Sequence, residues 1–427
     1  MTTFYIRAAG CILVAALLVR LTAAGIWQAR LPPGKAFVFP DSESYWYLAR
    51  AIARGEPYQF GDADHRVFRT PGYPLLLAGL FRLAGEDPPV FWARALSAVL
   101  GSATVGGVML LTRRLFDEQA ALWAGVLAAI YPGAVAMSVL VLAEAPLSLM
   151  VLLQLICWSR ACQESRPAAY RAYALLAGLC AAAASLMRPS WLLFSPAAAL
   201  LALGIGGDRR RHLQIGALLL VALTAGMLPW WVRNDRVTGR FVPTTLEVGA
   251  SLYDGWNPQA TGASDMRFVA AFRTQLRQED AGRLATGRDT FELRLDRRLR
   301  SAALEWAGAH PGRVGQLAGI KFLRMWNVWP NEPSLRGRLV RIVVLIGYLP
   351  LLACGLVGAW RFAGRGWPYV LCLLPSVYLT VVHMVFVGSL RYREPAMLCL
   401  IVLAAGLVSP WVAPGRASPR GDQSVAS

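Results

Sequence analysis

The sequence predicts an all-α protein that crosses a membrane many times, on three observations. Its apolar residues come in long unbroken runs rather than at amphipathic spacing. Most of these runs approach the roughly 20 residues that cross about 30 Å of hydrocarbon. Of the 427 residues, 56% are hydrophobic and only 16% charged, where a soluble domain carries about 25% charged residues. The bilayer therefore stands in for much of a soluble core.

Spanning helices are predicted at 5–27, 90–112, 120–137, 139–158, 171–187, 190–205, 213–232, 339–360, 367–387 and 395–414. The first is too long for a signal peptide and lacks a small-residue cleavage site, so it reads as a retained helix. A further stretch, 71–85, is apolar but short. If it crossed, Arg113, Arg114, the Arg209–Arg211 cluster and the Arg361/Arg365 loop would fall outside. If it re-enters or lies on the outer surface, all of them are cytoplasmic together with Arg160, Arg166 and Arg171. Short cytoplasmic loops are the basic ones. The expectation is therefore about ten spans with both termini inside, or about eleven if 71–85 crosses.

Two long segments then face outward. The expected organisation is a membrane module over 1–232 with a first outer loop at 28–89, and an outer helical segment over 233–338. Membrane helices over 339–414 and a disordered cytoplasmic tail over 415–427 complete it. Within the second outer segment, helices are predicted near 265–279, 290–309 and 313–326.

The net charge of +18 could suggest a nucleic-acid partner. Arginines beside membrane helices account for it, since they set topology and meet anionic headgroups, and no nucleic-acid motif is visible. Six of the seven cysteines lie inside apolar runs and the seventh in a short basic loop, so they read as packing residues without a disulfide framework. The four histidines match no metal-ligand spacing, and no divalent metal is indicated.

Charged groups inside hydrocarbon cost several kcal/mol and are functional candidates. Here Arg20, Arg94, Glu144, Arg188, Arg341 and His383 all fall near outer helix ends. A shared polar cavity opening outward would explain the whole set.

Several motifs stand around that level. In PDSESYWYLARAIARGEPY (Pro40 to Tyr58), Asp41 begins an amphipathic helix whose aromatic face includes Tyr45. A helix cap is the simplest role for such an aspartate. RTPGYPLLLAGL brings Arg69 to the membrane entry, where it serves equally as an interfacial anchor or as a contact for a lipid phosphate. VLAEAPLSL puts Glu144 about one turn below the surface. PWWVRNDRVTGRF leaves Arg233 just outside, and the turn GASLYDGWNP carries Tyr253 and Asn257. In HMVFVGSLRYREP, Arg391 and Arg393 flank Tyr392. An outward arginine pair runs against the positive-inside bias, which favours a specific anionic partner.

Taken in order from Asp41 to Pro395, these motifs resemble the GT-C membrane glycosyltransferases. The resemblance is to the family-39-like branch, with the protein O-mannosyltransferases and the lipid A aminoarabinose transferase. The matching pieces are Asp41 with Tyr45, Arg69 to Pro74, Ala143–Glu144 with Pro146, and Met187–Arg188–Pro189. Pro229 to Asn234 with Gly249 to Pro258, and Arg391 to Pro395, complete the series. Two departures bear on the acceptor. Ser42 follows Asp41 where many protein mannosyltransferases carry an acidic pair, and the second outer segment holds no β-trefoil insertion.

The resemblance implies a GT-C-like helical fold in the cell (inner) membrane, with the site facing the periplasm or exterior. It implies a donor sugar on a polyprenyl-phosphate carrier, membrane lipid as partner, and Asp41 as the carboxylate that activates an acceptor hydroxyl. Tyr45, Arg69, Glu144, Arg188, Arg233, Tyr253, Asn257, Arg391 and Tyr392 would bind substrate. A phosphate leaving group needs cations rather than a general acid. One base without a covalent nucleophile implies inversion. The main alternative is a transporter or flippase for a lipid-linked or anionic substrate, but no inverted repeat or midplane charge supports it. A glycan ligase or polymerase would share the lipid donor without the Asp41 series.

Overall fold

A computed structural model describes residues 2–85, 87–282, 289–329 and 337–408. The chain opens with α1 (Thr3–Arg30) and two shorter helices, α2 (Pro40–Arg54) and α3 (Gly72–Ala84). A bundle follows: α4 (Val90–Leu115), α5 (Glu118–Ile130), α6 (Pro132–Val139), α7 (Glu144–Gln163), α8 (Pro167–Met187), α9 (Phe194–Ile205) and α10 (Arg209–Thr238). The second polar segment holds α11 (Val248–Gly255), α12 (Phe268–Gly282), α13 (Phe291–Ala309) and α14 (Pro311–Trp326). Finally come α15 (Arg338–Phe362), α16 (Trp367–Val385) and α17 (Glu394–Gly406).

The chain is an all-helical, multi-pass membrane protein. Among the described residues seven helices are long and apolar enough to cross a membrane: α1, α4, α7, α8, α10, α15 and α16. The α5–α6 pair passes the same test as one unit bent by 53°. Of the other two expected spans, 190–205 is a 3₁₀ turn followed by the 12 residues of α9. The last, 395–414, shows the 13 residues of α17, and its end lies outside the described residues, as does the expected tail. α17 is buried along its whole length against α15, α16, α4 and α5, so it serves as the centre of the bundle.

The α5–α6 bend explains one embedded charge. Pro132 starts α6 without a donor N–H, and the last carbonyls of α5 lose their helical partners. The fully buried Arg20 supplies them, donating to the Ala128 and Ala129 carbonyls at 3.2 and 3.1 Å and to Ser138 Oγ at 3.3 Å. Arg20 is therefore a strut for a broken helix, and not part of a shared cavity.

The short apolar stretch forms α3. Its 13 residues reach only about 20 Å, short of the hydrocarbon thickness. It packs beneath α2 through Tyr73 edge-on to Tyr45 and Phe81 edge-on to Trp46, with ring centroids 5.1 and 4.6 Å apart. A Cβ at Gly72 would stand 2.6 Å from the Leu186 backbone. Glycine at this position lets α3 begin against the end of α8, where Arg188 stands at the cap.

The three helices expected in the second polar segment are α12, α13 and α14. The sequence missed α11, which read as a turn because it is short and glycine-rich. Gly249 lets α11 press on α13: its N–H donates to Asp296 Oδ1 at 2.6 Å, and a Cβ there would meet the Asp296 carbonyl at 2.0 Å.

Candidate active site

The polar helix ends surround a cavity of about 1630 Å³. Most of its wall is apolar, with Val19, Ile26, Val135, Leu140, Leu193 and Val382 among the lining residues. The charged side chains on the wall come from distant stretches of sequence and include Asp41, Arg69, Arg188 and Arg391.

Asp41 is not the helix cap. Phe39 holds the cap position of α2 without a side-chain bond, and Pro40 opens the helix. The Asp41 carboxylate is turned to two arginines instead. Arg69 donates to Oδ1 and Arg391 to Oδ2, both at 2.7 Å. Burial alone would raise this carboxyl, but the two guanidinium groups more than offset it and hold it well below the usual carboxylate range.

Each arginine has its own support. Arg69 lies 4.5 Å from the Phe68 ring centroid and 5.6 Å from that of Tyr45, and its Nε approaches Ser44 Oγ at 3.3 Å. Arg188 ends α8. It donates to Glu144 Oε1 at 2.5 Å and lies over the Tyr392 ring at 4.4 Å. Arg391 stands in a 3₁₀ turn before α17, with its Nε 3.6 Å from Glu144 Oε1. Three guanidinium groups thus face two carboxylates, leaving one positive charge in excess.

Glu144 opens α7, where the helix dipole favours a carboxylate. It is 2% exposed and lies behind Arg188 and Arg391 rather than on the cavity wall. Its Oε2 is buried without a partner. His383 lines the cavity and stacks on Tyr392 with centroids 4.0 Å apart. Its Nδ1 lies 3.1 Å from the Val387 carbonyl. The carbonyl accepts, so Nδ1 carries a proton, and Nε2 is buried and unpartnered.

The cavity's remaining wall was not legible as a site. The motif Pro229 to Arg240 builds it. Trp230 and Trp231 donate from Nε1 to the Thr244 and Pro243 carbonyls at 2.7 and 2.8 Å, and Asn234 Nδ2 donates to Val242 O at 3.0 Å. Gly239, at φ 66°, turns the chain at the end of α10. Residues 240–247 therefore run back along α10 and deliver Thr244, Thr245 and Glu247 to the cavity.

Among the described residues the Glu247 carboxyl makes no hydrogen bond or ion pair, while its backbone carbonyl accepts from Ser251 N at 2.9 Å. Burial pushes its carboxyl up to about 7, with nearby Arg69 pulling the other way. A carboxyl raised on folding stabilises the protein at low pH and loses that contribution as pH rises through its folded value. Glu247→Gln should therefore melt a few degrees above the unsubstituted protein at pH 8, with the difference shrinking towards pH 5. Thermal unfolding in detergent reads this, and equal gaps at both pH values would remove the buried charge from the account.

Of the residues the sequence placed at the site, Asp41, Tyr45, Arg69, Arg188, Arg391 and Tyr392 line the cavity. Three others lie elsewhere. Arg233 donates to the Tyr58 and Arg66 carbonyls at 2.9 and 2.8 Å, between the Tyr58 and Trp230 rings. It clamps the first polar segment to α10, and its donors are not turned towards the cavity. Tyr253 packs edge-on against Phe268 and Phe272. Asn257 ties its own turn, donating to Tyr253 O at 2.7 Å and accepting from Gln259 N at 2.8 Å.

Of the embedded charges expected to share a single polar cavity, only Arg188 and His383 line it, with Glu144 behind Arg188. Arg94 holds Gln28 and the Ala36 carbonyl, and Arg341 lies by Trp329. The expected arginine pair is also split. Arg393 turns inward onto the Met325 and Asn327 carbonyls and the Tyr348 ring.

Residues 68–232 match the family described as dolichyl-phosphate-mannose-protein mannosyltransferase. That stretch holds Arg69, Glu144 and Arg188, with Asp41 and Arg391 outside it. No curated protein sequence matches the chain. The apo oligosaccharyltransferase of Archaeoglobus fulgidus superposes with a TM-score of 0.58 at 17% identity, covering 93% of this chain and 50% of that one. The oligosaccharyltransferase AglB from the same organism, in complex with an inhibitory peptide and a dolichol-phosphate, gives 0.58 at 18% identity over 95% and 50%. ArnT from Cupriavidus metallidurans bound to undecaprenyl phosphate gives 0.45 at 15% identity over 95% and 79%. The chain spans about half the length of the oligosaccharyltransferase. It is similar to the GT-C membrane glycosyltransferases, in sequence over residues 68–232 and in fold over nearly its whole length.

Proposed function

We propose that the chain is an inverting glycosyltransferase, moving a sugar from a polyprenyl-phosphate carrier to a hydroxyl acceptor at the outer face of the membrane. One observation carries this reading: the Asp41–Arg69–Arg391 cluster sits in a cavity whose wall is otherwise mostly apolar. A carrier lipid needs such a site, with cations for its phosphate and an apolar path for its tail. The dolichol-phosphate held by the structurally similar AglB is in keeping with it.

The chemistry follows from the residues at hand. The acceptor O–H gives its proton to Asp41 as its oxygen attacks the anomeric carbon. The bond from that carbon to the phosphate oxygen breaks, and its electron pair leaves with the polyprenyl phosphate. Attack from the opposite face inverts the configuration. Arg69 and Arg391 stabilise the charge growing on phosphate, and Glu144 positions Arg188 and Arg391. Tyr45 and Tyr392 wall the reacting centre. The polar wall at Thr244, Thr245 and Glu247 is where an acceptor would enter.

Polyprenyl phosphate binding in detergent tests the reading. Arg391→Ala should weaken it about 10- to 100-fold, because a charge-assisted contact contributes about 1.5–3 kcal/mol. Arg233→Ala should leave affinity unchanged and lower thermal stability, since Arg233 is a structural clamp. Equal losses of affinity in both variants would contradict this division.

The topology is part of the same reading. Short loops carrying Arg113, Arg114 and Arg209–Arg211 are assigned to the cytoplasm with both termini, and 28–89 and 233–338 to the outside. Cysteines introduced at Gly207 and Thr261 should label from opposite faces, and labelling from one face would overturn the orientation.

A further inference from the structure

We propose that Asp41 occupies the carrier's phosphate site when no donor is bound, and that the phosphate binds by exchange, taking Arg69 and Arg391 from the Asp41 carboxylate. This rests on the polyprenyl-phosphate reading above.

The geometry marks Arg69 and Arg391 as the exchangeable pair. Each gives Asp41 one terminal nitrogen at 2.7 Å, and each lines the cavity. Arg188 is engaged differently. It is held at 2.5 Å by Glu144, which is not itself on the cavity wall, and lies over Tyr392. Asp41, Arg69 and Arg391 come from separate segments: the start of α2, the entry to α3 and the turn before α17. The carboxylate is thus an internal anion joining three parts of the chain at the point where a ligand anion would do the same.

Arg391 also has a partner to keep while it changes ligands. Its Nε is 3.6 Å from Glu144 Oε1, a loose contact, and Glu144 Oε2 is buried and unpaired. Moving the terminal nitrogens of Arg391 from Asp41 to a phosphate leaves Glu144 behind them as counter-ion. Arg69 has its Ser44 contact and the faces of Phe68 and Tyr45. Neither guanidinium is stranded by the exchange.

Charge balance favours the same order of events. With three arginines, the Asp41 and Glu144 carboxylates, the neighbouring Glu247 in its protonated form and a phosphodiester donor of one negative charge, the cluster sums to zero. After transfer the carrier is a phosphate monoester approaching two negative charges, and Asp41 has gained the acceptor's proton. The sum is zero again. In the empty site Asp41 is a poor base, because two cations hold its lone pairs. Released from them and set beside a phosphate, the same carboxylate binds a proton more readily. Donor binding therefore produces the base that the transfer step uses.

The test needs neither the sugar nor the acceptor. Affinity for polyprenyl phosphate is measured in detergent for the unsubstituted protein and for Asp41→Asn. Polyprenol, inorganic phosphate and phosphatidylglycerol serve as comparison ligands. Asp41→Asn should bind polyprenyl phosphate about 10-fold or more tightly than the unsubstituted protein, since two partly buried guanidinium groups have lost the anion between them. Polyprenol affinity should not change. Inorganic phosphate should show the same preference for the variant at much lower affinity. Equal or weaker binding of polyprenyl phosphate by folded Asp41→Asn overturns the exchange while leaving the carrier reading intact. Failure of the unsubstituted protein to prefer polyprenyl phosphate over phosphatidylglycerol overturns both. If Asp41→Asn does not fold, a structure of the unsubstituted protein with polyprenyl phosphate decides. Exchange requires Asp41 beyond hydrogen-bond distance of Arg391, and an intact Asp41–Arg391 pair beside bound phosphate overturns it.

Discussion

Asp41→Asn should insert and fold normally yet lose about 100-fold or more in turnover, the range expected when a general base is removed. The amide keeps the volume and can still accept from Arg69 or Arg391 through its one carbonyl oxygen, but it cannot take the acceptor's proton. A capping role for Asp41 would predict near-normal turnover, since Asn caps about as well as Asp, but Phe39 already holds the cap position. The measurement is sugar transfer from a polyprenyl-phosphate donor, with folded protein quantified by thermal unfolding. Near-normal turnover in the variant would remove Asp41 as the base. Glu43 would not replace it, because it is exposed on α2 and does not line the cavity. Glu144 is screened from the cavity by arginines. Glu247, unpaired and on the cavity wall, would be the next candidate. If the exchange proposed above is correct, the same substitution weakens turnover and strengthens carrier binding. That opposite pair of effects is hard to produce by general damage to the fold.

The helices were legible because hydrocarbon imposes one requirement on every span: length and apolarity together. That requirement says nothing of breaks such as the one between Ile130 and Pro132, nor of which way a polar side chain turns. Asp41, Arg69, Arg188 and Arg391 could be picked out because charge at a helix end beside hydrocarbon is costly unless something compensates it. The same logic over-counted. Arg20, Arg94 and Arg393 are compensated by backbone carbonyls that helix ends or loops leave open, and such acceptors have no signature in sequence. Arg233 was misplaced for the same reason: its acceptors, the Tyr58 and Arg66 carbonyls, lie about 170 residues away along the chain. Glu247 was missed because its position depends on the return path of 240–247 along α10. Trp230, Trp231 and Asn234 fix that path, and their spacing alone reads as an interfacial aromatic belt.

Glu144→Ala should be the most destabilising single substitution at the site. Removing one partner of a buried ion pair costs about 3–5 kcal/mol, because the remaining charge is left uncompensated. Here the charge left behind is Arg188, held at 2.5 Å, and Arg391 also loses the carboxylate 3.6 Å from its Nε. The two consequences can be separated. Glu144→Leu combined with Arg188→Met removes the pair together and fills the space with apolar atoms of similar size, an exchange that is often neutral or stabilising. The double variant should therefore recover most of the thermal stability lost in Glu144→Ala. Carrier binding should stay weak in it, because Arg391 has lost the counter-ion that keeps it in place when it leaves Asp41. Thermal unfolding and polyprenyl phosphate affinity on the same preparations read the two effects. Recovery of both would make Glu144 a stabilising residue without a positioning role, and recovery of neither would mean that the Glu144–Arg188 pair is required for the fold of this face of the bundle.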